Sequence, residues 1–109
     1  MMGRLVILNA LPLNAFGVGE FMLRVRRVDF KELSALAGAH GSVIHYVRHR
    51  ATVSLLSKYI PLNPSPNPGL YKYEVGDTLL VVVLKSPQRG QEVDTLTEGD
   101  VELFLVSLV

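Results

Sequence analysis

The sequence predicts a single α/β domain over residues 1–109, built on a small mixed β-sheet of about five strands with two main helices. Three observations carry this expectation. Short apolar or alternating runs of strand length recur along the chain, two intervening stretches repeat apolar residues every three or four positions, and Gly, Pro and Asn punctuate the joins. With 109 residues, 49% of them hydrophobic and 19% charged, the chain is long enough to bury one core and too apolar for a disordered tail.

The continuous apolar run from Arg4 to Asn9 predicts a strand buried on both faces, followed by a loop from Ala10 to Glu20. Phe21, Leu23 and Val25 alternate with Arg24 and Arg26, the period of a half-buried strand ending near Val28 with a basic outer face. Asp29 three residues before Glu32 forms a capping-box pattern, and Phe30, Leu33, Leu36 and Ala37 continue it as a short helix stopped by Gly38. Ser42 to Tyr46 is β-branched and aromatic and reads as another buried strand. Thr52, Leu55, Leu56 and Tyr59 then recur at helical spacing, predicting a helix over Arg48 to Lys58 with His49 in its first turn. Pro61, Pro64, Pro66 and Pro68 exclude regular structure from 61 to 69. Leu70 to Val75, a turn at Gly76-Asp77, and Thr78 to Lys85 predict a hairpin with a central second strand. After a polar stretch with one helical turn around Thr95 to Gly99, Val101 to Leu108 is the last strand.

Composition excludes several functions. The absence of cysteine removes disulfides, thiolate metal sites and a cysteine nucleophile. The longest apolar run, Leu79 to Leu84, is far below the ~20 residues of a membrane helix, and Asn9, Pro12 and Asn14 break the signal-like Leu5–Leu8 run, so a cytoplasmic protein is expected. His40, His45 and His49 lack HxxxH or HExxH spacing, so neither a metal nor any other cofactor is expected, and no nucleophile elbow or nucleotide-binding glycine loop occurs. The formal charge of +1 hides an asymmetry. Residues 1–73 hold nine Lys/Arg against three Asp/Glu, while residues 74–109 hold two against seven. The basic half either faces phosphates or consists of solvated faces neutralised by the acidic half.

His49 opens a predicted helix, where unpaired N–H groups attract anions, and Arg48 and Arg50 flank it. It is either a structural histidine hydrogen-bonded near the helix start or a proton donor to the leaving oxygen of a bound phosphodiester. Asn9 and Asn14 follow the first strand, where asparagine forms turns and where open sheets collect ligands. Arg89 and Glu92 lie three apart in a polar loop that can equally be solvated surface.

Three pieces in order resemble the small ring nucleases of type III anti-CRISPR systems: Ile7-Leu8-Asn9-Ala10, the helix opening Val47-Arg48-His49-Arg50-Ala51-Thr52-Val53-Ser54-Leu55-Leu56-Ser57, and Gly76-Asp77-Thr78 through Lys85. The resemblance implies a metal-independent homodimer that cleaves cyclic tetra-adenylate by attack of a ribose 2′-hydroxyl, leaving a 2′,3′-cyclic phosphate. It implies His49 as general acid with Arg89 and Glu92 as its catalytic partners, and Asn9, Asn14, Arg48, Arg50 and Thr52 as substrate contacts. Arg48 stands where the family has a small glycine, and Pro68-Gly69 stands where it has an arginine. The alternatives are a non-catalytic sponge or sensor for cyclic oligoadenylates and a nucleic-acid binder using Arg24, Arg26 and Arg27. The small net charge disfavours a broad footprint on double-stranded nucleic acid.

Overall fold

The computed structural model describes residues 3–17, 19–85 and 95–109. Its strands are β1 (Arg4–Leu8), β2 (Leu23–Val28), β3 (Ser42–His45), β4 (Thr78–Leu84) and β5 (Val101–Leu108). The helices are α1 (Leu33–Gly38) and α2 (Arg50–Ser57), and short 3-10 turns occupy Leu13–Phe16, Phe30–Glu32 and Glu98–Asp100. The strands form one sheet in the order β2-β5-β4-β1-β3, with β1 parallel to both β3 and β4 and with β5 antiparallel to β4 and β2. The expected mixed α/β sheet is therefore present.

Strand alternation divides the core between two faces. Leu5 and Ile7 of β1, Leu80 and Val82 of β4 and Leu103 of β5 point towards Leu33, Leu55 and Leu56, so both helices lie on one face. Val6, Leu8, Leu79, Val81 and Val106 point the other way, where Phe16, Tyr71 and Tyr73 cover them instead of a helix. The predicted capping box is made: the Glu32 amide donates to Asp29 Oδ1 at 3.1 Å and the Asp29 amide reaches Glu32 Oε1 at 3.4 Å.

Two elements depart from expectation. Leu70 to Val75 forms no strand, so the hairpin is absent. Its proposed partner, β4, already spends both edges on β1 and β5, and no hydrogen-bonding side is left for a neighbour. The second helix begins at Arg50, with His49 as an N-cap in extended conformation (φ −78°, ψ 111°) outside the first turn. The late helical turn falls at Glu98–Asp100.

The amino ends of β1 and β4 meet tightly at Gly3 and Gly76. A Cβ on Gly3 would overlap the Gly76 carbonyl, and Gly76 itself holds a positive φ of +95°. Gly3→Ala is therefore expected to destabilise the domain by roughly 1–3 kcal/mol in urea unfolding. At the sheet centre, Leu80→Ala is expected to cost about 2–5 kcal/mol by the same measurement, because Leu80 is completely buried.

Candidate ligand-binding cleft

The carboxyl ends of β1 and β3 open into a cleft of about 380 Å³. In parallel sheets this is where side chains from successive loops converge on a ligand. Parallel pairing of Ile7 with His45, continued by the Tyr46 amide donating to the Ile7 carbonyl at 3.0 Å, brings the segment after β3 beside the segment after β1. Leu8, Asn9 and Ala10 thus face Tyr46 and Arg48, Pro12 and Asn14 come from the following turn, and Gly69, Leu70, Tyr71 and Lys72 close the remaining wall.

The chemistry of this lining is one-sided. It contains the guanidinium of Arg48, the ammonium of Lys72 and the amides of Asn9 and Asn14, with no Asp or Glu among the described residues. Arg48 and Lys72 are both exposed, able to meet a ligand arriving from solvent. Tyr46 packs edge-on against Tyr71 with ring centroids 5.7 Å apart, giving the cleft an aromatic floor.

His49 lies beside the cleft without lining it. Its Nδ1 shares a 2.9 Å hydrogen bond with the hydroxyl of Thr52, which is buried within the first turn of α2. Arg50 is exposed at the same helix start. Of the residues singled out in the sequence, the fold brings Asn9, Asn14 and Arg48 into the cleft, pairs His49 with Thr52, and leaves Arg50 in solvent. Arg89 and Glu92 lie outside the described residues. Tyr46, Tyr71 and Lys72 were not singled out, and the only sequence signal for them was the cluster of tyrosines on either side of the Pro-rich loop. His45 is buried and His40 half-buried: His45 Nδ1 accepts from the Val47 amide, so its Nε2 donates to the Asn63 carbonyl at 2.6 Å, and His40 Nδ1 lies 2.6 Å from the Leu36 carbonyl. Among the described residues, no group of three or more His, Asp or Glu is placed to hold a metal.

Beneath the cleft wall, the Tyr71 hydroxyl donates to the buried carboxylate of Asp77 at 2.6 Å. Arg4 grips the same carboxylate with two bonds of 2.9 and 2.8 Å. Burial alone would raise the Asp77 carboxyl, but the bonds from Arg4, Tyr71 and the Glu74 amide outweigh it and hold it below the usual carboxylate range. Burial, and then the bond to Asp77, push the Tyr71 phenol far above its ordinary value.

A mixed sheet with helices on one face and a cation-bearing cleft at its parallel strand ends defines this as a small α/β domain with a candidate anion site. The model of the STIV B116-like family matches residues 5–108, and the chain belongs to that family. Among solved structures it is similar to B116 of Sulfolobus turreted icosahedral virus (STIV), with 17% identity, a TM-score of 0.69, and coverage of 95% of this chain and 98% of that one. At that identity the likeness shows the fold. No curated protein matches.

These findings correct the family expectation: the match is to the STIV B116-like family and not to the anti-CRISPR ring nucleases. The expectations attached to that resemblance are withdrawn with it, namely cyclic tetra-adenylate as ligand, its enzymatic cleavage, the oligoadenylate sponge and the homodimer. Of the arginines named for the nucleic-acid alternative, Arg26 is paired with Glu32 and Arg27 with Glu102 and the Phe104 ring, while Arg24 is exposed on the same strand. No helix among the described residues is long and apolar enough to cross a membrane.

The sign of the Asp77 effect on stability follows from its lowered value. The contribution is fully present above the unfolded-state range near pH ~4 and is lost as pH falls through the lower folded value. Asp77→Asn is expected to be less stable than wild type at neutral pH, with the gap narrowing on acidification in thermal melts at stepped pH. At the helix start, Thr52→Val is expected to lose about 0.5–1.5 kcal/mol in denaturant titration by removing the partner of His49.

Proposed function

We propose that this protein is a binding domain for a small phosphate ester carrying a flat ring, of mononucleotide size, in the cytoplasm. The observation that carries the reading is the cleft lining: Arg48 and Lys72 with Asn9 and Asn14, no carboxylate among the described residues, and tyrosines beneath. A guanidinium forks onto two phosphate oxygens, and an ammonium adds a movable charge that an acidic neighbour would otherwise cancel. The asparagine amides both donate and accept, which suits sugar hydroxyls or base edges. The volume of about 380 Å³ falls in the range of small-ligand sites.

Calorimetry with uridine 5′-monophosphate, uridine and pyrophosphate tests this. The monophosphate is expected to bind more tightly than the neutral nucleoside, with affinity falling as salt rises. Arg48→Ala and Lys72→Ala are each expected to weaken it by about tenfold or more. Equal affinity for nucleoside and nucleotide, or indifference to both substitutions, overturns the reading.

A further inference from the structure

The wall of the cleft from Gly69 to Lys72 belongs to a stretch, 69–77, that joins no strand. Its neighbours do little to hold it. Leu70 is 88% and Val75 98% exposed, so the apolar side chains that usually pin a segment point into solvent. Beyond the close approach of Gly76 to Gly3 at its end, the segment's backbone meets the rest of the fold through the Tyr73 amide, which donates to the Ala15 carbonyl at 3.0 Å, and Tyr73 packs on Phe16 at 5.4 Å. Tyr71 is buried and supplies the other attachment.

That attachment ends at Asp77, which is only 5% exposed and lies at the amino end of β4, whereas the cleft lies at the carboxyl ends of β1 and β3. Its two oxygens are fully engaged. Oδ1 accepts from Arg4 Nε, while Oδ2 accepts from Arg4 Nη2, the Tyr71 hydroxyl and, at 3.1 Å, the Glu74 amide. Arg4 also reaches Glu74 at 3.0 Å, tying the base of the segment to the start of β1. A carboxylate held by a bidentate guanidinium is a rigid acceptor, so the phenol it receives is held in one place. The phenol carries the ring, and the ring sets the cleft wall against Tyr46.

We infer that Asp77 is a positioning residue for the cleft: it never meets the ligand, and by fixing the hydroxyl of Tyr71 it places the Gly69–Lys72 wall and the ammonium of Lys72 opposite Arg48. The inference rests on the anion-binding reading of that cleft. An asparagine at 77 keeps one acceptor oxygen, but its amide nitrogen then faces one of the two Arg4 donors and breaks the bidentate grip that holds the acceptor for Tyr71, and a phenylalanine at 71 keeps the ring while cutting its tether.

The test compares Asp77→Asn, Tyr71→Phe and the double variant by near-ultraviolet circular dichroism in the tyrosine region and by uridine 5′-monophosphate titration. Each single variant is expected to weaken binding about three- to tenfold, and the double variant no more than either, since both cut one tether. Asp77→Asn is expected to change the tyrosine signal in the wild-type background and to change it no further in the Tyr71→Phe background, where residue 71 no longer contributes, with far-ultraviolet spectra unaltered. Val53→Ala, which lowers stability from the helix face, is expected to move neither reading at temperatures where it is folded. Losses that add in the double variant, or a tyrosine signal that Asp77→Asn leaves unchanged in the wild-type background, overturn the inference. If wild type binds no nucleotide, the binding reading fails by itself and the tyrosine signal alone decides the tether. If Asp77→Asn does not fold, Tyr71→Phe decides it by the nucleotide titration, unchanged affinity overturning the inference and a loss of about three- to tenfold supporting it.

Discussion

The arrangement depends on one constraint, the parallel pairing of β1 with β3 along one edge and β4 along the other. Parallel neighbours cannot be joined by a tight turn, so the chain must leave the sheet and return twice. One return passes through β2 and α1 to β3, the other through α2 and the 61–77 stretch to β4. With both edges and both faces occupied, β1 is buried from Leu5 to Leu8, and each crossover has to cover one side of it. The same pairing aligns the carboxyl ends of β1 and β3, which is why Asn9 and Arg48, far apart in sequence, line one cleft.

The two faces of the sheet are closed by different physics. On the helix side, leucines from α1 and α2 interlock with Leu5, Ile7 and Leu80. On the other, irregular chain does the covering, and aromatic contacts replace regular packing: Phe16 on Tyr73 and on Phe21, Tyr46 on Tyr71. Irregular segments need side chains or ion pairs to hold them, because they have no ladder of backbone bonds. The Arg4–Asp77–Tyr71 chain supplies that where the ladder stops, and it does so on the side where the cleft opens.

Local pattern was legible where burial follows chain period. Leu5 to Leu8 gave a doubly buried strand because every position is apolar, and Asp29 with Glu32 gave the helix entry because the reciprocal bonds span three residues. Leu70 to Val75 misled for the opposite reason. Its apolar members Leu70 and Val75 face solvent, while Tyr71 is drawn inwards by a carboxylate six residues on, and the edge of β4 it was expected to fill belongs to β1, more than seventy residues upstream. Of the candidate site, Asn9, Asn14 and Arg48 could be singled out as polar residues at the ends of apolar elements. Lys72 and Tyr46 reach the cleft through pairing and tethering that no local spacing encodes.

The charge asymmetry along the chain has a spatial resolution. Basic residues of the first part meet acidic residues of the last: Arg4 with Asp77 and Glu74, Arg27 with Glu102. Each pair joins chain ends of the sheet that are distant in sequence, so neutralisation and strand assembly are one event. It is incomplete by design of the topology, since the acidic residues at 74, 77 and 102 lie on or beside β4 and β5, whereas among the described residues the charged groups at the carboxyl ends of β1 and β3 are Arg48 and Lys72. A chain of nearly zero net charge thereby keeps a local positive field at one end of its sheet. A low-dielectric aromatic floor strengthens such a field, because fewer water dipoles oppose it. The excess charge of the first half is thus divided between holding the fold together and leaving a site open to an anion.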